Sequence, residues 1–308
     1  MPVIELDNLS KWYGEVIGLN NVTSAIDHGI TGLLGANGAG KSTLMSLAMG
    51  QLRPSKGSIR VFGQRVWDRP GVLSQVGYCP EGDPFWPNLT GYRFVLFLAK
   101  TSGLRGSAAV KAARHAIELT GMTEHAGRAI RGYSKGMRQR IKIAQTLVHS
   151  PKLLILDEPF TGTDPVARHE LGNLLRELVK QGVDILISSH VLHEVEALTK
   201  QILLIDHGRI VAQGDLQAVR RTMRDRPHAI RVRVDQPRRL AADLAALDIV
   251  AGLKVSSPDT LTIETAWPER VYDLLPNLIL DRKLSVREIA AADESLEAVF
   301  DYLTHREG

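Results

Sequence analysis

The chain has 308 residues, 44% hydrophobic and 23% charged, with a formal net charge of +4. That length and composition suit about two globular domains and exclude a disordered or fibrous chain, while so mild a charge does not demand a nucleic-acid partner. The longest apolar stretches, such as Leu153 to Leu156 and Ile202 to Ile205, fall far short of the roughly 20 residues a membrane-spanning helix needs. The start, Met-Pro-Val-Ile-Glu-Leu, lacks a basic region followed by an apolar core, so no secretory signal is expected and the chain is expected to stay in the cytoplasm. Cys79 is the single cysteine; it can neither close an internal disulfide nor build a zinc site alone, and it reads as a packed thiol.

In chain order, the alternation of Val3 and Glu5 against Ile4 and Leu6 predicts a strand. A second β-like run lies at Val22 to Ile26, and Ile30 to Leu34 reads as a buried strand. Leu44, Met45, Leu47, Ala48 and Met49 suit a buried helix from Ser42 to Gly50, and Pro54 to Gly57 reads as a turn into a strand at Ser58 to Phe62. From about Pro84 to Ala144 the helical pattern dominates, with glycine breaks at Gly91, Gly103, Gly106 and Gly121. Buried strands at Leu153 to Leu156 and Ile185 to Ser188, with a helix from about Pro165 to Val179 between them, argue for a parallel sheet in an α/β domain. An arginine-rich stretch from Leu216 to Pro227 predicts a boundary. Beyond it the spacing predicts a strand at Ile230 to Val234, a helix at Arg238 to Leu247, strands at Val250 to Val255 and Leu261 to Glu264, a helix at Pro268 to Leu280 and a strand at Leu284 to Ile289. That βαββαβ order is ferredoxin-like. A last helix would present Leu296, Val299, Phe300 and Leu303 on one apolar face. The arginines from Arg220 to Arg239 read as a solvated linker face, with a lipid-headgroup contact as the alternative.

Gly35-Ala36-Asn37-Gly38-Ala39-Gly40-Lys41-Ser42-Thr43 fits the phosphate loop G-x-x-x-x-G-K-[ST] at every fixed position, between a strand and a helix. Glycines let backbone N–H groups converge on phosphate oxygens, the helix start adds positive potential, Lys41 reaches the outer phosphates and the Ser42 hydroxyl can ligate Mg²⁺. Leu153 to Leu156 run into Asp157 and Glu158, which places two carboxylates at the end of a strand. There Asp157 can hold Mg²⁺ through water and Glu158 can polarise an attacking water.

At Tyr133-Ser134-Lys135-Gly136-Met137-Arg138-Gln139-Arg140 the chain resembles the signature segment of the ABC ATPases. Over residues 3 to 215 the other motifs agree in order: Tyr13 resembles the aromatic that stacks on adenine, Thr161 to Asp164 the D-loop, and His190 the switch histidine that senses the γ-phosphate. The resemblance implies a P-loop NTPase of ABC type, with a RecA-like core, an N-terminal antiparallel β subdomain and a helical subdomain at about 84–144. The ATPase domain is expected over 1–216, a linker over 217–228 and a small α+β domain over 229–308. It further implies MgATP held by Tyr13, Asn37, Gly38, Ala39, Gly40, Lys41, Ser42, Thr43, Glu81 and Asp164, with Ser42, Asp157 and Glu81 on the metal and Lys41, Glu158 and His190 in catalysis. In the family two such domains sandwich two ATP molecules, so Ser134 and Gly136 would act on the other protomer's ATP. Three positions depart from the pattern. Glu81 stands where the family usually carries a glutamine, Lys135 replaces the first signature glycine and Thr163 replaces a leucine.

A DNA-repair ATPase of SMC type would need a long coiled coil between the two nucleotide motifs, a UvrA-like sensor needs cysteine-rich zinc modules, and a translation factor of the family carries two cassettes. The tail, Glu294 to Phe300, resembles that of ABC-2-type exporter ATPases. The expectation is a homodimeric motor subunit attached to the inner face of the membrane through separate permease subunits, with no nucleic acid. The alternative is an ABC ATPase that regulates a permease, assists metalloenzyme maturation or acts with nucleic acid. Phe85 and Trp86, just after Glu81, are either a docking surface for the permease or part of the helical subdomain's own core.

Overall fold

The computed structural model describes residues 1–67, 70–215, 219 and 228–291. The chain divides into two units, Met1–Asp215 and Leu216–Gly308. In the first, the order is β1 (Ile4–Tyr13), β2 (Val16–Ile26), β3 (Ile30–Leu34), α1 (Lys41–Ala48), β4 (Lys56–Val61), β5 (Gln64–Arg65) and β6 (Val76–Cys79). Three longer helices follow, α2 (Gly91–Thr101), α3 (Gly106–Leu119) and α4 (Lys135–Leu147). The unit closes with β7 (Leu153–Leu156), α5 (Pro165–Lys180), β8 (Asp184–Ser189), α6 (Leu192–Glu196), β9 (Gln201–Asp206) and β10 (Arg209–Asp215).

Among the described residues these strands form two sheets, β2-β1-β4-β5 and β10-β9-β3-β8-β7-β6. The first is antiparallel. In the second, β9, β3, β8, β7 and β6 run parallel and β10 closes the edge antiparallel. Apolar runs without alternation belong in such a sheet because both of its faces are covered. Side chains two residues apart share a face, and the core divides accordingly. Leu154, Leu156, Ile185 and Ile187 pack with Phe94, Val95, Ile117, Ile141 and Leu175 of the helices. Leu153, Ile155 and Leu186 pack on the opposite face with Leu33, Leu44, Met45 and residues of β1, β2 and β4. Slipping one strand by one residue would exchange the two sets, so this double burial sets the register.

The helices start on local chemistry. Thr90, Ser134 and Asp164 cap α2, α4 and α5 by accepting the backbone N–H of Arg93, Met137 and Ala167, and Pro165 opens α5. Two glycines expected as breaks, Gly91 and Gly106, are instead first residues of helices. Glycine there forfeits little, because the first helical residue has no intrahelical N–H bond to strengthen. Cys79 is the packed thiol expected of it: burial pushes its thiol up to about 12. Among the described residues, no helix is long and apolar enough to cross a membrane.

The second unit contains β11 (His228–Val234), α7 (Pro237–Leu244), β12 (Gly252–Ser257), β13 (Thr260–Thr265), α8 (Pro268–Arg282) and β14 (Val286–Ala291). Sheet order β12-β13-β11-β14, antiparallel throughout, is the ferredoxin-like arrangement read from the sequence. Ile230, Val232 and Val234 point into a core with Leu240, Leu244, Val271 and Leu275, while Arg231 and Arg233 alternate outward and Arg238 and Arg239 are exposed on α7. The last strand starts two residues later than predicted, because Lys283 turns left-handed to end α8 and Leu284 is buried before pairing begins. The helix expected around Leu296 to Leu303, and Arg220, Arg221, Arg224 and Arg226, lie outside the described residues.

Candidate functional site

Four parallel strands, β3, β6, β7 and β8, end at one edge of the larger sheet, and the segments leaving them line a single pocket of about 190 Å³. Such carboxyl ends are where open parallel sheets place ligands, because the connections diverge there and leave a crevice. The pocket collects Ala36, Asn37, Gly38, Gly40, Lys41, Ser42 and Thr43 after β3, Glu81 after β6, Asp157 and Glu158 after β7 and His190 after β8.

The loop after β3 can wrap tightly only because of its glycines. Gly40 has φ +116°, and a Cβ there would lie 2.7 Å from the Gly18 carbonyl oxygen, so an L side chain is excluded both by conformation and by space. Lys41 is buried; its Nζ donates to the Gly35 carbonyl at 2.7 Å and the Ala36 carbonyl at 3.3 Å, and lies 3.7 Å from Glu158 Oε1. The ammonium thus braces the loop from inside while it faces a carboxylate.

Asp157 and Glu158 are both buried. Ser188 Oγ on β8 ties them together, donating to Asp157 Oδ1 at 2.6 Å and accepting the Glu158 N–H at 2.9 Å. The Glu158 backbone is left-handed, φ +48°, a conformation costly for a residue with a side chain and concentrated at functional sites. His190 Nδ1 lies 2.8 Å from Glu158 Oε2. Lys41, Glu158 and His190 therefore form one line of contacts from the phosphate loop to the end of β8. Beneath them, burial first and the Asp157 carboxylate second push the Tyr78 phenol up to about 12.

Other predicted residues lie apart from this pocket. Tyr13 is half-exposed at the β1–β2 hairpin, with its hydroxyl 3.4 Å from Thr43 Oγ1, so it borders the loop without lining the pocket. Ser134 caps α4, Gly136 packs against Ala167, and Asp164 caps α5; none of the three lines the pocket. Lys135 lies across Gly162, and Thr163 Oγ1 donates to the Phe160 carbonyl at 2.6 Å, so both departures from the family pattern are absorbed locally.

Sequence reasoning missed Ser188 and Lys142. Ser188 had a signal, since a buried serine at the end of an apolar strand needs a partner. Lys142 is buried on α4, with Nζ 3.1, 2.9 and 3.1 Å from the carbonyls of Pro80, Glu81 and Gly82 and 3.3 Å from Asp83 Oδ1.

Residues 19–161 match the family model described as ABC transporter. The chain is 38% identical to a bacitracin transport ATP-binding protein of Enterococcus faecalis over 225 residues, 72% of each chain. It is 32% identical to a daunorubicin/doxorubicin resistance ATP-binding protein of Streptomyces peucetius, over 98% of this chain and 92% of that one. A solved ATP-binding subunit of an ABC transporter superposes on 72% of this chain and 93% of its own with a TM-score of 0.64 at 30% identity. With the phosphate loop, the paired carboxylates and the histidine converging on one pocket in that fold, the chain belongs to the ABC transporter ATP-binding proteins and is an ATP-binding, ATP-hydrolysing motor subunit.

Proposed function

We propose that the chain binds MgATP as a homodimer and drives export through separate membrane permease subunits to which it attaches peripherally. The observation that carries the dimer is the lining of the site: Ser134 and Gly136 are not among the residues lining the pocket that holds Lys41, Asp157, Glu158 and His190. A signature that cannot serve its own phosphate loop can serve a partner's, and a two-fold pair of identical surfaces closes such an arrangement. Residues 1–216 form the ATPase part in this reading and 229–308 an accessory domain. The names of the similar proteins, which refer to bacitracin transport and drug resistance, support export.

Within each site Tyr13 stacks on adenine, and the backbone from Asn37 to Thr43 with Lys41 holds the phosphates. The donors beside them, the Ser42 hydroxyl and the Asp157 and Glu81 carboxylates, are all oxygens, the set a hard divalent cation such as Mg²⁺ prefers. Bound there, Mg²⁺ would neutralise phosphate charge. Glu158 accepts a proton from the attacking water, and His190, already on Glu158 Oε2, orients that carboxylate and senses the γ-phosphate. Asp164 acts from the α5 cap, next to the partner's site.

Two experiments test the assembly. ATP should convert Glu158→Gln protein to a dimer in light scattering, and Ser134→Arg should abolish that dimer by placing a bulky cation at the phosphate contact. A dimer that survives Ser134→Arg refutes the shared site. The permease surface is tested at Trp86. Phe85 is partly buried against the helical core, whereas Trp86 is 50% exposed and stacks edge-on against the exposed Phe97 at 5.3 Å. An exposed aromatic pair is the composition of an interface anchor. Trp86→Ala should cost the isolated subunit only about 0.5–1.5 kcal/mol, the value of an aromatic pair, yet abolish co-purification with its permease. A thermal shift near that of a buried tryptophan, about 3–5 kcal/mol, with assembly intact would place the docking surface elsewhere.

A further inference from the structure

Lys142 is a buried charge that the chemistry above does not use. It sits on α4 among Ile141, Ile143, Ala144 and Leu147, all buried, where an apolar side chain would pack without the cost of desolvating an ammonium. Its Nζ instead gathers the carbonyls of three consecutive residues, Pro80, Glu81 and Gly82, and the Asp83 carboxylate. Three N–H groups facing four acceptors form a saturated cage around one charge. Arg138, one turn earlier on α4, adds a second ion pair to Asp83 at 3.1 Å. Further along the same helix, Gln145 Nε2 donates to the Tyr78 carbonyl at 3.1 Å. α4 is thus fastened to β6 and the loop that leaves it, and Ser134 caps the start of that same helix.

Glu81 is exposed and is one of the residues lining the pocket, on a loop that has no regular structure of its own. Its placement therefore depends on what holds the backbone beneath it. We propose that Lys142 is a positioning residue that clamps the Pro80–Gly82 backbone to α4, so that Glu81 is presented to the cation site. This rests on the reading of Glu81 as a cation-side residue. A charge serves here where an apolar side chain would not, because only a donor can hold three carbonyls turned towards the helix.

The test uses the full chain saturated with a non-hydrolysable ATP analogue, with Mn²⁺ as the probe, read by electron paramagnetic resonance. Lys142→Met should weaken Mn²⁺ affinity about tenfold, the usual effect of removing an outer partner of a metal site, while affinity for the analogue in the absence of metal is unchanged. Glu81→Gln should weaken Mn²⁺ as well, and adding Lys142→Met to it should weaken Mn²⁺ no further, because both changes act through one carboxylate. Wild-type Mn²⁺ affinity in Lys142→Met beside a weakened Glu81→Gln overturns the clamp alone, and so does an undiminished effect of Lys142→Met in the Glu81→Gln background. Wild-type affinity in Glu81→Gln overturns the underlying role of Glu81. Should Lys142→Met fail to fold, Lys142→Gln, which keeps a donor but is too short to reach all three carbonyls, is expected to show the same shift and is judged by the same outcomes.

Discussion

Glu158→Gln is expected to lower ATP turnover about 10²–10⁴-fold, the contribution typical of a positioned general base, while ATP remains bound. Glutamine has the size of glutamate, so it can keep the left-handed backbone at φ +48° and the bond from the Glu158 N–H to Ser188 Oγ. What it loses is the ability to accept a proton. The histidine beside it, His190 at 2.8 Å, then faces a neutral amide in place of a carboxylate. Lys41, 3.7 Å from Glu158 Oε1, is released from a competing anion, so affinity for the phosphates should hold or rise. Steady-state phosphate release and the amount of nucleotide retained after gel filtration check both parts. Hydrolysis at the wild-type rate in Glu158→Gln would show that another group activates the water.

Lys41→Ala is expected to fail one step earlier, at binding. Hydrogen bonds to a charged group contribute about 1.5–3 kcal/mol each, so losing a single ammonium–phosphate contact should weaken ATP by roughly ten- to a hundredfold. Two structural effects act in the same direction. The Gly35 and Ala36 carbonyls lose their buried donor, which loosens the loop, and the buried Glu158 loses the ammonium that faces it, which repels an incoming triphosphate. Titration with a fluorescent ATP analogue measures the change. An unaltered dissociation constant would mean that Lys41 serves the loop and not the ligand. The contrast between the variants matters as much as either value, since Glu158→Gln should retain ATP where Lys41→Ala does not.

Local patterns were sufficient for much of this protein. A glycine-rich loop between a strand and a helix and two acids after an apolar strand are legible because each motif carries its own geometry, positive φ values, a helix start, a strand end, whereas His190 was legible only through the resemblance to the ABC ATPases. The βαββαβ order of the second unit was legible too, because alternation in Ile230, Val232 and Val234 marks one buried face. What lay beyond the sequence are contacts between segments far apart along the chain. Only the sheet order, β10-β9-β3-β8-β7-β6, brings Lys41, Glu81, Asp157, Glu158 and His190 to one edge, and the sequence contains no local sign of which strands are neighbours. Ser188 on β8 bonding Asp157 and Glu158 on β7, and Lys142 on α4 reaching back some sixty residues to the Glu81 loop, are read as ordinary polar residues until the fold removes water from them. Burial decides their meaning: a serine or lysine in water is solvated at no cost, whereas the same group inside the protein must find a partner, and which partner it finds is settled by tertiary structure alone.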